Sequence, residues 1–595
     1  MKSKFQIANI LSVLVILAML IAPVSTVSFA APAEKQAESA NSAAVSAQAG
    51  SGRVYNEAKG ETEAAVYIIQ LADAPVATYT GGVAGLAATS PLATGAHKLD
   101  AKSPASLAYE QYLAGKQDAF VAGMNNLLGR NVDIHFTYRH AYNGVAAFLS
   151  PAEAARVAEM DGVVLLYRES FEEILTDTGP VFIGAETIWD AVGGTKGEGI
   201  IVGIIDTGIN SGHPSFADVG DDGYDHTNPF GAGNYVGYCV ANPSFCNDKL
   251  IGAWAFHPSS TNPEDADGHG SHTASTVAGN YLEDPILYAP TINYTFDSVT
   301  GVAPHANIIA YQVCVPSCPT SATTAAVNQA VIDGVDVTNY SISGGTNPYV
   351  ETTAVAFLNA VAAGVFPANS AGNTGPGAGT VGHQGPWIMT VAAGTHDRKI
   401  LNSVVNLSNS SGTLPDILGQ SPTLGYGPET LVYAGDLGNP LCNPFAAGTF
   451  SGEIVVCDRG VIGRVQKGVN VLAAGGGGMI LANDAPSAAS LNDDPHVLPA
   501  THISYADGVI LKAWMAAGTS DEGEITGGVV DYDAAYGDDM ASFSSRGPAG
   551  ALVPGLANLI KPDVSAPGLN ILAAYNAGFT TPPEFNIISG TSMSS

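Results

Sequence analysis

Apolar residues follow three different rhythms along the chain. Over residues 61–175, Ala65-Val66-Tyr67-Ile68-Ile69-Gln70-Leu71 and Asn143-Gly144-Val145-Ala146-Ala147-Phe148-Leu149 have the dense apolar content of strands, whereas residues 108–128 repeat their apolar positions at helical spacing. Ser150 with Glu153 three positions on predicts a capping box, and residues 163–167 predict another strand. Strand, helix, strand, helix, strand is a small α+β unit, closed by Leu175-Thr176-Asp177-Thr178. From Gly199 the rhythm becomes βα alternation. Residues 200–205 form an unbroken apolar run ending in Asp206, the pattern of a strand buried on both faces of a parallel sheet. Further strands of this kind are predicted at 307–313, 335–342 and 387–393, with helices at 324–333 and 353–363 stopped by Gly334 and Gly364. That order predicts an α/β domain with its chemistry at the carboxyl ends of the strands.

Residues 401–535 break the alternation. A strand around Glu453-Ile454-Val455-Val456-Cys457, a helix at 464–474 and a strand at 479–483 predict a separate compact β-rich unit. The glycines at 475–478 follow a helix rather than opening one, so they read as a helix-to-strand turn and not as a phosphate loop. After Met540 the α/β texture returns at Phe543-Ser544-Ser545-Arg546-Gly547-Pro548 and at 561–568.

Composition narrows the partners. The chain has 595 residues, 46% of them hydrophobic, enough for several cored domains. With 22 Lys and Arg against 54 Asp and Glu the net charge is −32, which repels nucleic acid and anionic membrane surfaces and excludes both as expected partners. Lys2 and Lys4 precede an apolar run at 10–22, and Ser28-Phe29-Ala30 is a small-x-small cleavage site. Residues 1–30 therefore read as an export signal, with an uncleaved membrane anchor as the alternative. Residues 31–60, rich in Ala, Ser and Glu, read as a flexible leader, and no later stretch is apolar enough to span a bilayer. Six cysteines fall in close pairs, Cys239 with Cys246, Cys314 with Cys318 and Cys442 with Cys457. Local disulfides in an oxidising compartment fit that spacing. Cys314 and Cys318 could instead offer two metal ligands, but no second pair lies at zinc-finger spacing.

Four stretches carry candidate chemistry. Ile204-Ile205-Asp206-Thr207-Gly208 puts a carboxylate at a strand end. Asp267-Gly268-His269-Gly270-Ser271-His272 puts an imidazole ahead of a small-residue helix, and Gly590-Thr591-Ser592-Met593-Ser594 puts a hydroxyl in a glycine turn. A serine becomes a nucleophile when a base takes its proton and an acid orients that base, roles that Ser592, His269 and Asp206 could fill. Asn369-Ser370-Ala371-Gly372-Asn373-Thr374-Gly375 adds a side-chain amide, Asn373, suited to an oxyanion. His272 and His383 read as structural histidines.

In the order Asp, His, Asn, Ser, these stretches resemble the subtilisin-like serine proteases, an order distinct from chymotrypsin-like and α/β-hydrolase arrangements. The resemblance implies a secreted serine endopeptidase that needs no cofactor and acts on polypeptides bound by strand addition. It assigns 61–175 to an inhibitory propeptide, the chain's own intramolecular inhibitor, cut near Thr176. Residues 176–400 and 536–595 become a split catalytic domain, and 401–535 an inserted protease-associated domain. Tyr340-Ser341-Ile342-Ser343-Gly344 matches the substrate-lining segment, so Ser341, Ile342, Ser343 and Gly344 are candidate substrate contacts; Ser343 stands where the family has glycine. Asp218, Asp221, Asp222 and Asp225 form an oxygen-rich loop that could hold calcium, against a solvated acidic loop as the plainer reading. Because only three residues follow Ser592, the sequence also suggests a C-terminally truncated, weakly active or inactive copy. The alternative function is then a catalytically inactive, polypeptide-binding homologue.

Overall fold

Ser103 and Pro104 start the first long helix. The serine hydroxyl accepts the Ser106 N–H and the proline occupies the first turn, so α1 runs Pro104–Leu128, four residues earlier than its apolar periodicity indicates, and ends at left-handed Gly129. The computed structural model describes residues 53–55, 64–169, 171–172, 180, 182–191, 193–289, 292–484, 490–550, 556, 559–575 and 584–595. The export signal, most of the leader and the cut near Thr176 lie outside them. These described residues belong to one compact unit. Among the described residues no helix is long and apolar enough to cross a membrane.

The first layer is a five-stranded sheet. Its strands β1 (Arg53–Tyr55), β2 (Ala65–Leu71), β3 (Ile134–Tyr138), β4 (Gly144–Leu149) and β5 (Val163–Arg168) lie in the order β1-β5-β2-β4-β3. Helix α2 (Pro151–Val157) begins with the predicted capping box, both of its reciprocal bonds present. One sheet face packs Tyr67, Ile69 and Val145 against Phe120 and Met124 of α1. The other packs Val66, Ile68 and Tyr142 toward Ala325 of a helix in the next layer.

That layer is an eight-stranded, wholly parallel sheet. Its members β6 (Ile201–Asp206), β7 (Val236–Gly237), β8 (Leu250–Ala255), β9 (Asn307–Gln312), β10 (Val337–Tyr340), β11 (Phe366–Ser370) and β12 (Met389–Gly394) are joined by an edge strand, Val564–Pro567. The order is edge strand, β12, β11, β10, β6, β9, β8, β7. All six residues of β6 are buried, as the unbroken apolar run requires. Helix α3 (His269–Ala278) packs on one face of the sheet, where Ala274 and Ala278 meet Val202 and Ile308. Helices α4 (Thr320–Asp333) and α5 (Thr352–Ala362) cover the other and carry the first layer.

Strands between residues 398 and 525 close into a seven-membered ring, 398–409, 417–420, 500–503, 478–482, 454–458, 426–433 and 522–525 pairing in that order and back to 398–409. Helix α6 (Arg464–Ala473) leads through the glycine turn into the strand at 478–482, while α7 (Tyr505–Ala517) was not legible in the apolar pattern. The cysteines pair as the spacing suggested, Cys239–Cys246, Cys314–Cys318 and Cys442–Cys457. The last closes a separation of 15 residues, and joint replacement of Cys442 and Cys457 by serine is expected to cost about 3 kcal/mol. Urea unfolding of that variant checks it.

Candidate active site

Parallel pairing brings the ends of β11, β10 and β6 side by side, so Ser370, Ser341 and Asp206 share one edge of the sheet. Asp206 is fully buried. Its Oδ1 accepts the Thr207 N–H at 2.7 Å and the Nδ1–H of His269 at 2.6 Å, while Oδ2 accepts the Thr273 hydroxyl at 3.2 Å. The imidazole opens α3 because Gly268 adopts a left-handed backbone (φ 103°) ahead of it. Behind it Gly270 comes so close to β6 that an added Cβ would lie 2.3 Å from the Gly208 carbonyl oxygen.

Asp265 organises this helix start. One oxygen accepts the Gly268 N–H (2.8 Å), the Asp267 N–H (3.1 Å) and the Thr207 hydroxyl (2.9 Å), and the other accepts the Ser271 N–H (2.8 Å) and hydroxyl (2.7 Å). Sequence reasoning passed over Asp265, although the run Asp265-Ala266-Asp267-Gly268 just before a helix offers carboxylates to the unpaired N–H groups of its first turn. Asp265→Ala leaves several buried donors without an acceptor. It is expected to lower stability by on the order of 3 kcal/mol, and Asp265→Asn by less; an unchanged urea midpoint for the alanine variant would count against it. Beside the site, burial pushes the Asp267 carboxyl above its ordinary range, opposed by His269 and reinforced by Asp265 and Asp206.

Ser592 is 1% exposed, and the turn that carries it is clasped to β10. The Ser592 hydroxyl donates to the Ser341 carbonyl (2.9 Å), and the Ser341 hydroxyl donates back to the Ser592 carbonyl (2.6 Å). Among the described residues no hydrogen bond joins Ser592 to His269. Asn373 approaches from the β11 side, its Oδ1 accepting the N–H and the hydroxyl of Thr591, both at 3.0 Å. A backbone N–H can only donate, so the amide oxygen is fixed on Thr591 and the NH₂ group is turned away from it. The inserted ring touches the same turn, since Asn492 donates to the Ser589 hydroxyl at 2.9 Å.

The candidate substrate segment divides. Ser341 and Ile342 are buried, whereas Ser343 and Gly344 are half-buried. Ser341 thus serves the Ser592 turn, and the Ile342 carbonyl accepts from His383 Nε2 at 2.7 Å and from the Ser370 hydroxyl at 3.3 Å. His383 packs so tightly that a Cβ on Gly344 would lie 2.1 Å from its ring. Burial holds this imidazole down at about 4, so it is neutral and structural. His272 is also buried, its pKa pushed down by burial, and it bonds the Asn586 carbonyl at 3.2 Å.

The acidic loop does not fit a cation. Asp222 bonds His305 Nε2 (2.9 Å) and the Tyr224 N–H (3.2 Å), Asp221 accepts the Glu283 N–H (3.0 Å), and Asp218 accepts the Asp248 N–H (3.2 Å). Among the described residues no three His, Cys, Asp or Glu side chains are placed to share a metal.

An α/β parallel sheet with an aspartate ending a central strand and a histidine opening the helix beside it has close relatives in sequence. A family model described as the subtilase family, Peptidase_S8, matches residues 197–595. The chain belongs to the subtilase family, and its fold is subtilisin-like. It is 36% identical over 497 residues to subtilisin-like protease SBT1.4 of Arabidopsis thaliana, covering 77% of this chain and 62% of that protein. To SBT1.3 of the same plant it is 36% identical over 515 residues, covering 78% and 63%. The chain thus spans a little under two thirds of the length of these subtilase relatives. Fervidolysin from Fervidobacterium pennivorans, a keratinolytic enzyme related to subtilisin, overlaps with a TM-score of 0.40 at 13% identity over 92% of this chain and 55% of its own, too partial a likeness to carry an argument.

Proposed function

We propose that this subtilase is a secreted serine endopeptidase, made as a precursor that residues 61–175 hold inhibited. The observation that carries the reading is the 2.6 Å bond from His269 Nδ1 to the buried Asp206 carboxylate, in a chain whose glycine turn presents Ser592. In the proposed mechanism the Ser592 hydroxyl leaves the Ser341 carbonyl and gives its proton to His269 Nε2 as Oγ attacks the scissile carbonyl. Asp206 holds the imidazole's tautomer and stabilises its charged form. The Asn373 NH₂ group, oriented by Thr591, and the Ser592 backbone N–H receive the oxyanion. His269 then passes its proton to the leaving amine, and water repeats the sequence on the acyl-enzyme.

Export is supported by the signal-like first thirty residues and by three disulfides. Residues 401–535 read as a protease-associated domain. A second reading, a polypeptide-binding homologue without turnover, is favoured by one observation: Ser592 bonds Ser341 rather than His269. Incubating the protein, freed of residues 1–176, with an unfolded protein substrate separates the two. New internal peptide ends, suppressed by a serine-directed sulfonyl fluoride, are expected; binding without cleavage would establish the second reading.

A further inference from the structure

Between β2 and α1, residues 72–103 leave the small sheet and run along the catalytic domain. Val76 and Ala77 are fully buried, and with Tyr79, Leu99 and Ala101 they belong to the same apolar core as Phe357 and Ala360 of α5. The segment is braced from its own side by Tyr79 stacked on Tyr109 of α1, ring centroids 3.6 Å apart. It then meets the carboxyl ends of both covering helices. The Leu99 N–H donates to the Ala363 carbonyl at the end of α5 at 2.9 Å. Lys98 Nζ donates to the carbonyl of Gly334, which ends α4, and pairs with Asp336 at 2.6 Å. Lys102 lies within electrostatic reach of Asp333, the last residue of α4, and over the Phe230 ring at 5.6 Å. Gly364 makes room for the passage, since a Cβ there would stand 2.7 Å from the His97 carbonyl oxygen.

Two lysines on a chain of net charge −32 thus meet a helix end carrying Asp333, Asp336 and the negative pole of the helix dipole. We propose that residues 72–103 are a docking strap which recognises the carboxyl ends of α4 and α5 and keeps the prodomain bound after the chain is cut behind it. The proposal builds on the prodomain reading above. It assigns retention to the amino-terminal end of β10, which Asp336 precedes, whereas the candidate substrate segment follows its carboxyl end, with apolar anchors giving affinity and the lysine pair giving register and salt sensitivity.

The test uses the full chain with Ser592→Ala, to silence any cutting of its own, and with residues 173–178 replaced by the recognition sequence of a site-specific protease. After cleavage the two parts are expected to co-elute in gel filtration at moderate salt. Leu99→Asp, and separately Lys98→Glu with Lys102→Glu, are expected to speed separation roughly tenfold or more, about 1.4 kcal/mol per decade; Lys98→Arg with Lys102→Arg retains co-elution. The lysines are partly exposed, so their exchange leaves the uncut chain folded, checked by its unchanged melting temperature. Raising salt should loosen the parent and not the double glutamate variant. Spontaneous separation of the parent, or co-elution of both sets of variants like the parent, would overturn the strap. Inhibition is read independently, in the chain that keeps Ser592, by comparing hydrolysis before and after the fragment is stripped off. No gain there would remove the inhibitory reading and leave the strap standing.

Discussion

Ser592→Ala is expected to lower kcat on a peptide substrate by about 10⁶, with KM nearly unchanged. The alanine keeps the volume of the turn and removes only the oxygen that forms the acyl bond. Its loss from the clasp is partial, because the Ser341 hydroxyl still donates to the backbone carbonyl of residue 592. The fold should therefore survive, and melting temperature separates a chemical loss from a structural one. His269→Ala should cost a similar factor and the double variant little more, since nucleophile and base act as a unit. Additive losses would contradict a shared step.

Asp206→Ala is expected to cost about 3 × 10⁴ in kcat, and Asp206→Asn distinctly less. The reason is local. Oδ1 receives both the Thr207 N–H and the His269 Nδ1–H, whereas Oδ2 faces the Thr273 hydroxyl, which can accept as well as donate. An asparagine therefore settles with its carbonyl oxygen toward Thr207 and His269 and its NH₂ toward Thr273. That placement keeps the histidine tautomer in which Nε2 is unprotonated and can act as a base, and only the negative charge opposite the imidazolium is lost. Comparing kcat for the two variants checks this; an asparagine variant as impaired as the alanine one would mean that the amide settles the other way round.

Elements whose signal is local were legible in the sequence. The Ser150–Glu153 capping box, the glycine stop at Gly334 and the buried run before Asp206 each follow from a few adjacent residues. The start of α4 was placed at residue 324 instead of Thr320 because Thr-Ser-Ala-Thr-Thr offers no apolar stripe; its first turn is specified by burial against neighbours. Ring closure between 398–409 and 522–525 pairs segments more than a hundred residues apart, which periodicity does not encode. At the candidate site the chemistry-bearing residue types stood out by their glycine-rich settings. The Ser341–Ser592 clasp and the Thr591 grip on Asn373 did not, being contacts between side chains or carbonyls brought together only when β10, β11 and the final turn converge. The acidic loop departs the opposite way: of four aspartates close in sequence, Asp218, Asp221 and Asp222 are drawn to separate partners by the fold.

The most direct measurement is the mass of the protein after exposure to a fluorophosphonate, followed by peptide mapping, on chain freed of residues 1–176. A single adduct on Ser592, absent from Ser592→Ala and strongly slowed in His269→Ala, is the predicted result. No adduct at all, or an adduct of equal rate on another residue when Ser592 is replaced, would contradict the assignment of Ser592 as a nucleophile activated by His269.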